Sequence, residues 1–488
     1  MGHLENYFEK FRTNIVGAES SYESPYGKQT ITYFDWIASG RLYAPIEERI
    51  TKTIGPFAAN THTETSETGS RMTWAYQHAL KSIKRHVNAG PDDVIIAAGS
   101  GMTTEINKLI RMLGLRRYTN DFDPSTLGDE RPVVFITHME HHSNHTPWYE
   151  TIAEVVVLAP GDGLLVNPAI LEDELKKYKN RTTKIGSFSS CSNVTGVHIP
   201  YRDLARIMHQ NGGICFVDFA ASAPYEEIDM HPADPLEKLD AVFFSPHKFL
   251  GGPGSSGILV FDSALYHSKA PDNPGGGTVD WTNPWGEYKY VDDIEVREDG
   301  GTPGFLQAIK AALAVKLKEQ MGIENILARE KEIVPKILVE LRKINGLKIL
   351  ADNIDDRLGV ISFYIEDIHY NLIVKLLSDR FGIQSRGGCV CAGTYGHYLL
   401  EVSHDKSREI TDRINSGDLS EKPGWVRISI HPTTTDKEVD HFITAINQIS
   451  ENASAWAKDY DYDPRRNEYV FKEAECEGKR IVIDWFKL

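Results

Sequence analysis

The sequence predicts an α/β protein with a large, mainly parallel domain followed by a smaller α+β domain. In the first part of the chain, apolar runs that end in polar residues alternate with segments of helical apolar spacing, as in 94–98 and 103–113. Near residue 330 the pattern changes to helix, strand, strand and helix over 328–381, which is typical of an α+β unit.

Length and composition allow this organisation. The chain has 488 residues, of which 41% are hydrophobic and 25% charged, so it can bury at least one large core and is long enough for two domains. We expect an N-terminal segment that joins the small domain, a large domain, the small domain and a C-terminal extension, at 1–45, 46–325, 326–450 and 451–488.

Charge and cysteine content exclude several functional classes. The formal net charge is -16, so general attraction to nucleic acid or to anionic membranes is not expected. No apolar run approaches the ~20 residues of a membrane helix, and the start has no hydrophobic signal region, so we expect a cytoplasmic protein. Five cysteines, an odd number in a long chain, predict free thiols rather than a disulfide framework.

The stretch 241–261 consists of an apolar run, a polar turn and a second apolar run. The first run ends in Ser245, His247 and Lys248, and a turn rich in glycine and proline leads to Ile258. A lysine at a strand end beside small residues can be desolvated, which lowers its pKa and leaves a neutral amine able to form an imine. An ordinary surface lysine in a hairpin is the alternative.

The preceding strand favours the reactive lysine. The apolar segment 214–218 ends in the carboxylate of Asp218. A strand-end aspartate upstream of a strand-end lysine is what a pyridoxal phosphate site needs, because the aspartate holds the pyridinium proton and the lysine holds the aldehyde.

Val217 and Asp218, followed by Ser-Pro-His-Lys-Phe-Leu-Gly-Gly-Pro at 245–253, carry a family resemblance. The chain resembles the fold-type I pyridoxal phosphate enzymes of aminotransferase class V, specifically the cysteine desulfurase and selenocysteine lyase group, on landmarks over roughly 30–450. The resemblance implies a seven-stranded large domain, pyridoxal 5'-phosphate as cofactor, an amino acid substrate and a homodimer. It leaves the reaction open, because the superfamily uses one cofactor site for several chemistries.

A second landmark predicts the phosphate site. A buried strand runs into Gly-Ser-Gly at 99–101, and a helix begins directly after it. Because a helix N-terminus presents free backbone N–H groups, we expect Gly101, Met102 and Thr103 to hold the cofactor phosphate. Helix capping explains Thr103 equally well, and Thr104 is the alternative by one residue.

Four histidines lie between residues 138 and 145. A metal site is the weaker interpretation, because a second set of ligands with recognisable spacing is lacking. The segment resembles the family's Glu-His-His-x-Asn-x-x-Pro-Trp, which implies that His141 stacks on the cofactor ring and can act as acid or base. His142 and His145 are interpreted as structural.

Other landmarks complete the expected cofactor site. Asn193 matches a family asparagine that contacts the cofactor's phenolic oxygen, although a turn asparagine is the alternative. Ser245 and His247 come just before the lysine and are expected beside the cofactor. Ala221 stands where the family often has a glutamine, and Ser222 is the side chain that could substitute for it.

Thr302, in Gly-Thr-Pro, resembles a family threonine that reaches the phosphate of the neighbouring subunit. This implies a homodimer. The alternative is a helix cap, because an amphipathic helix is predicted over 305–321, and both roles are compatible.

The segment 383–394 contains the predicted reactive thiol. The family carries Arg-(Thr/Ser)-Gly-x-x-Cys here, and Cys391 has that spacing from Arg386. A thiol near cationic groups in a glycine-rich loop is expected to be exposed with a lowered pKa, as persulfide chemistry requires. Gly387 and the additional Cys389 depart from the family pattern, and half a metal site is the alternative for the two cysteines.

The expected substrate site adds Arg427, which matches a family arginine that binds the α-carboxylate in bidentate geometry. A structural salt bridge is the alternative for Arg427. Arg386 and Ala38 are also predicted to contact substrate, and Ile37 is a further pocket candidate.

Together the resemblance implies an enzyme in which Lys248, His141 and Cys391 are catalytic. It would remove sulfur or selenium from a cysteine-type amino acid through a persulfide on Cys391, release alanine and pass sulfur to an acceptor protein. One alternative is a class V aminotransferase or a lyase that acts on another amino acid without sulfur transfer. Another is a non-catalytic scaffold homologue. No metal is expected.

Overall fold

The computed structural model describes residues 2–119, 122–472 and 477–487. Within these ranges the α-helices are α1 His3–Arg12, α2 Ala44–Glu48, α3 Glu67–His86, α4 Met102–Met112, α5 His142–Tyr149, α6 Pro168–Lys177, α7 Tyr201–Gln210, α8 Ile294–Arg297, α9 Phe305–Met321, α10 Ile323–Leu341, α11 Tyr370–Phe381, α12 Gly393–Leu399, α13 His404–Asn415, α14 Asp436–Trp456 and α15 Glu477–Asp484. In this part of the chain we find no helix with the length and apolar character that crossing a membrane requires.

The strands of the same ranges form one large sheet, one small sheet and several two-stranded ribbons. They are β1 Ser21–Ser24, β2 Gly27–Thr30, β3 Thr32–Tyr33, β4 Asp93–Ala98, β5 Val133–Thr137, β6 Glu154–Leu158, β7 Lys184–Ser189, β8 Ile214–Asp218, β9 Ala241–Phe244, β10 Gly257–Asp262, β11 Val279–Thr282, β12 Tyr288–Tyr290, β13 Leu347–Ile349, β14 Val360–Ile365, β15 Ile383–Gln384, β16 Arg386–Gly388, β17 Trp425–Ser429, β18 Tyr460–Asp463 and β19 Glu468–Phe471.

The large sheet has seven strands in the order β4-β10-β9-β8-β7-β5-β6. Strands β6, β5, β7, β8 and β9 are parallel to their neighbours in this series, and β10 is antiparallel to both β9 and β4. Helices cover both faces: Ile83 of α3 and Val315 of α9 pack on one, and Ile106 of α4 and Trp148 of α5 on the other. The predicted α/β fold with a seven-stranded, mainly parallel sheet is confirmed.

The sheet topology brings the polar strand ends together. Strands β7, β8 and β9 run parallel, so their carboxyl ends meet at one edge of the sheet. Strand β4 ends at the same edge, because β4 and β9 are both antiparallel to β10 and therefore run in the same direction. Loops beyond this edge are where ligands bind in open α/β sheets.

A second, antiparallel sheet of four strands has the order β13-β14-β17-β16. Helices α10, α11 and α14 bury apolar side chains against it, including Ile337, Leu376 and Phe442. The N-terminal segment joins this unit, since β3 pairs in parallel with β15. The tail hairpin β18–β19 packs on α11, where Tyr460 Oη donates to Asp379 at 3.1 Å. The four segment boundaries remain predictions.

Most predicted element limits agree with the structure to within one or two residues. The helix predicted from Ala328 begins at Ile323 instead. Gly322 adopts a φ of 78°, which ends α9 and allows α10 to start in the next residue. The apolar periodicity does not reveal the start of α10, because α9 and α10 are separated by Gly322 alone and their apolar patterns follow each other without a gap.

Candidate active site

A cavity of about 230 Å³ lies at the carboxyl edge of the large sheet, against the small sheet. Predicted site residues from eight separate segments line it: Ala38, Gly101, Met102, Thr103, His141, Asn193, Asp218, Ser245, His247, Lys248, Arg386, Cys391 and Arg427. Ile37 and Ala221 also line it. The chain therefore brings together in one place every residue predicted to be catalytic, to hold the cofactor or to bind substrate, except Thr302. Ser222, considered only as a substitute for the missing glutamine, also lies outside the cavity.

Lys248 lies in a short turn that the glycines after it make possible. Residues Pro246–Lys248 form one turn of 3-10 helix directly after β9. The chain then folds back so tightly that a Cβ at Gly252 would overlap the carbonyl oxygen of Pro246. Burial lowers the pKa of Lys248 to about 8, and the positive charge of Arg427 adds to this, whereas Asp218 opposes it.

Asp218 is the last residue of β8, and it is buried. Its Oδ1 accepts the backbone N–H of Ala220 at 2.8 Å. Burial raises the pKa of Asp218 to about 6, while that hydrogen bond and the charge of Lys248 oppose the rise. Asp218 therefore contributes a buried carboxyl group to the cavity wall.

The N-terminus of α4 faces the cavity, and Gly101 is its N-cap residue. The N–H of Met102 donates to Ser245 Oγ at 2.9 Å, which ties this helix to the lysine turn. A Cβ at Gly101 would lie 3.1 Å from Ser245 Oγ and 3.5 Å from the ring of His247. A glycine at this position therefore keeps the space before the helix open.

Thr103 and Thr104, the two alternatives for the phosphate site, have different surroundings. Thr103 lines the cavity and shares a hydrogen bond of 2.6 Å with Ser143 Oγ. The side chain of Thr104 instead packs against Gly99, so closely that a Cβ at Gly99 would overlap it. Ser143, which the sequence did not single out, therefore belongs to the same wall.

His141 caps α5 and lines the cavity. Its Nδ1 accepts the N–H of Ser143 at 3.0 Å. Burial lowers the pKa of His141 to about 3, and the charge of Lys248 contributes. The ring is therefore a neutral imidazole, which suits stacking on a flat, electron-poor ligand.

The other three histidines of this segment have separate partners. His138 Nε2 lies 2.9 Å from the carbonyl oxygen of Leu164, and His145 Nε2 lies 3.1 Å from Tyr149 Oη. His142 contacts the segment that carries Cys391. Across the described residues, no three or more His, Cys, Asp or Glu side chains are grouped in a way that could hold a metal ion.

Two arginines share one carboxylate, that of Asp35. Arg427 is buried and donates to Asp35 Oδ1 at 3.0 Å and to the carbonyl oxygen of Asn193 at 3.1 Å. Arg386 donates to Asp35 Oδ2 at 3.0 Å. The salt bridge proposed as an alternative for Arg427 therefore exists, and Arg427 lines the cavity as well. Asp35 was not singled out from the sequence, although it lies only two residues before Ile37.

Replacing Asp35 with alanine is expected to lower the free energy of unfolding by about 3 kcal/mol, because Arg427 would be left as a buried, uncompensated charge. Urea unfolding followed by circular dichroism measures this. Asp352→Ala is the control, since Asp352 pairs with the more exposed Arg342 and should cost less than about 1 kcal/mol. Equal decreases in the free energy of unfolding of the two variants would contradict a structural role for the pair of Asp35 and Arg427.

Two thiols line the cavity, and they differ in exposure. Cys391 is exposed, whereas Cys191 is buried and its pKa is raised by that burial. Cys389 is half-buried and lies outside this cavity, and Cys476 lies outside the described residues. Cys191 was not singled out from the sequence, because it lies in the serine-rich turn after β7 and matches no motif there.

The predicted cofactor asparagine also contacts the segment that carries Cys391. Asn193 Nδ2 donates to the carbonyl oxygen of Val390 at 2.8 Å, and its buried Oδ1 has no partner among the described residues. Ala221 contributes only a methyl group to the cavity. Ser222, considered as its substitute, instead shares a hydrogen bond of 2.7 Å with Ser190 and is absent from the cavity wall.

Thr302 is exposed and lies outside the cavity of its own chain. The alternative that it caps the following helix is wrong, because the N-cap of α9 is Gly304. Contact with a neighbouring subunit remains a prediction for Thr302.

The residues present fit pyridoxal phosphate. The cavity combines a desolvated lysine, a buried carboxylate and a neutral histidine ring with an open helix N-terminus beside Ser245. Such an N-terminus suits a phosphate group, and the unpartnered Oδ1 of Asn193 leaves polar capacity for a ligand.

The comparison with protein families agrees with this geometry. The model of the family described as aminotransferase class-V matches residues 32–442. The chain belongs to this family. Class-V aminotransferases are pyridoxal phosphate-dependent enzymes, so the chain is an enzyme of that class. The match spans both sheets and all the cavity residues.

Curated relatives and solved structures point the same way. The chain is 29% identical over 371 residues to a protein of Halalkalibacterium halodurans named probable cysteine desulfurase, covering 74% of this chain and 84% of that one. A protein of Staphylococcus epidermidis with the same name is 28% identical and covers 88% and 94%. A cysteine desulfurase structure from Thermococcus onnurineus has a TM-score of 0.73 at 22% identity, covering 91% and 98%. These matches confirm the fold-type I architecture.

Proposed function

We propose that this class-V enzyme is a cysteine desulfurase-like protein that transfers sulfur from a cysteine-type amino acid to Cys391. The observation that carries the proposal is the exposed thiol of Cys391 in the same cavity as Lys248, Asp218 and Arg427. The names of the curated relatives support the same activity.

The walls of the cavity suggest how the cofactor is held. Lys248 would hold its aldehyde, and Asp218 would keep its ring nitrogen protonated. The N–H groups at the start of α4, with Ser245 and Thr103, would hold its phosphate. When bound, the cofactor supplies an electron sink for the α-carbon of the substrate. Thr302 of a second subunit would complete the phosphate site, so the active form would be a homodimer.

The substrate is proposed to bind between the two sheets. Arg427 and Arg386 offer guanidinium groups for an α-carboxylate, and Asp35 orients both. Lys248, with a pKa of about 8, is well placed to take the α-proton near neutral pH, because its amine is then partly neutral. Ala38 and Ile37 close the side of the site.

The sulfur step needs a nucleophilic, accessible thiol. Of the two thiols in the cavity, Cys391 is exposed, whereas burial keeps the pKa of Cys191 high and its thiol protonated. The C–S bond of cysteine breaks and an S–S bond forms, so cysteine and the Cys391 thiol become alanine and a Cys391 persulfide. A thiol acceptor, for example on a partner protein, would then take the outer sulfur by thiol exchange.

A class-V aminotransferase or lyase without sulfur transfer is the second candidate. Ala221 favours it, because the methyl group leaves that part of the cofactor site without the amide that the resembled group often has.

Single-turnover incubation of the holoenzyme with L-cysteine, followed by intact-mass analysis, distinguishes the two. We expect an adduct of ~32 Da on the wild type and none on Cys391→Ala. Cys389→Ala is the matched control, because Cys389 lies two residues away and outside the cavity, and it should retain the adduct. Absence of both adduct and alanine from the wild type would refute sulfur transfer from cysteine and leave the second candidate.

A further inference from the structure

Cys391 lies on a short segment, residues 389–393, which we call the thiol loop. Val390 and Cys391 have φ angles of 40° and 60°. Residues other than glycine rarely adopt these left-handed φ angles, and a β-branched residue such as valine is especially unfavourable there. A backbone in this conformation persists only where surrounding contacts hold it. The conformation of the thiol loop therefore depends on its hydrogen bonds to other elements.

Three hydrogen bonds tie the thiol loop to the large sheet and its helices. Asn193 Nδ2 donates to the carbonyl oxygen of Val390 at 2.8 Å. The backbone N–H of His142 donates to the carbonyl oxygen of Cys391, also at 2.8 Å. The imidazole Nε2 of His142 accepts the N–H of Gly393 at 3.0 Å. One residue, His142, thus contacts the loop at two points.

His142 is well placed for this contact. It is the first residue of α5, where the backbone N–H has no partner within the helix and is free to donate to the loop. It follows His141, which lines the cavity, but is not itself part of the cavity wall. Nε2 can accept a hydrogen bond only when it is unprotonated. Burial lowers the pKa of His142, and the charge of Lys422 lowers it further, which favours that form.

We propose that His142 is a positioning residue for Cys391, which holds the thiol loop in the conformation that presents the Cys391 thiol to the cavity. The expected effect on sulfur transfer rests on the proposed function. The positioning itself rests on the two hydrogen bonds between His142 and the thiol loop. It assigns a specific role to a histidine that the sequence suggested was merely structural.

Three variants of the holoenzyme test this role. His142→Phe keeps a flat ring but removes the acceptor, and His142→Gln returns an acceptor oxygen. His145→Gln is the matched control, because His145 lies one turn further along α5 and its imidazole contacts Tyr149 rather than the thiol loop. Each variant is measured by hydrogen–deuterium exchange of the peptide that covers the thiol loop, and by the single-turnover rate of the ~32 Da adduct with L-cysteine.

In His142→Phe we expect exchange at the Gly393 amide to be faster and sulfur transfer to be slower, each by about tenfold, because the loop loses a hydrogen bond and the thiol its fixed geometry. Attachment of the cofactor, trapped with borohydride, should not change. His142→Gln should recover at least part of both effects, and His145→Gln should resemble the wild type. Unchanged exchange in His142→Phe overturns the proposal, as does faster exchange with an unchanged rate of sulfur transfer.

The test remains decisive if the wild type forms neither the sulfur adduct nor alanine. In that case sulfur transfer is refuted, and the role of His142 is judged from exchange together with the rate at which iodoacetamide alkylates Cys391. A changed alkylation rate in His142→Phe that His142→Gln restores would support the positioning of the thiol. Equal alkylation rates in the wild type and His142→Phe would overturn it.

Discussion

Replacing Lys248 with alanine is expected to lower turnover by about 10³-fold or more, because the proposed attachment point of the cofactor and the proposed base are lost together. Intact mass after borohydride reduction should show the cofactor fixed to the wild type and not to the variant. Alanine release from L-cysteine measures turnover. Lys238→Ala is the control, since Lys238 pairs with Asp262 outside the cavity. Retention of the fixed cofactor by Lys248→Ala would contradict the assignment.

The lowered pKa of Lys248 gives this assignment a pH dependence with a definite sign. Only the neutral amine attacks an aldehyde, so reloading of cofactor-free protein should speed up as pH rises to about 8 and then level off. At pH 7 a lysine with this pKa is about one-tenth neutral, compared with less than about 0.1% for an ordinary lysine. A reloading rate that continues to rise above pH 10 would indicate a solvated lysine instead.

Replacing Asp218 with asparagine is expected to reduce turnover by about 10²–10³-fold while leaving the cofactor attached, because the variant cannot stabilise a protonated ring nitrogen through charge. The amide oxygen can still accept the N–H of Ala220, so the fold should be retained. The ratio of alanine release to borohydride-fixed cofactor separates slower turnover from loss of the cofactor.

Asp262→Asn provides a matched control for Asp218. Asp262 also ends a strand of the large sheet, and its Oδ1 accepts an N–H two residues later, from Ala264, at 2.9 Å. Its side chain lies outside the cavity. Turnover of Asp262→Asn should stay within about twofold of the wild type, as for most surface substitutions. Equal losses in Asp218→Asn and Asp262→Asn would mean that the effect comes from the strand ends rather than from the site.

Much of the fold was predictable because its determinants are local. Short buried runs such as 214–218 and the apolar spacing in α4 and α9 define elements without reference to the rest of the chain. Polar residues at strand ends become neighbours automatically once the strands are parallel, because a parallel sheet brings its carboxyl ends to one edge. Lys248 and Asp218 were predictable for this reason.

Other parts of the site had no local signal. Asp35 and Arg386 are 351 positions apart and meet only because β3 pairs with β15. The role of Asp35 therefore depends on a pairing between two strands that are far apart in the sequence. The buried thiol of Cys191 likewise became a cavity residue only through the tertiary structure.

The amino-acid sequence alone determined the fold class, the family resemblance and the residue types at the carboxyl edge of the large sheet, because periodicity and strand-end chemistry are properties of short segments. Only the tertiary structure decided how those residues are held. The left-handed backbone at Val390 and Cys391 is unfavourable for the local sequence and is maintained by Asn193 and His142, which come from distant segments. The sequence could not predict this backbone conformation, because the hydrogen bonds that stabilise it come from residues far away in the chain.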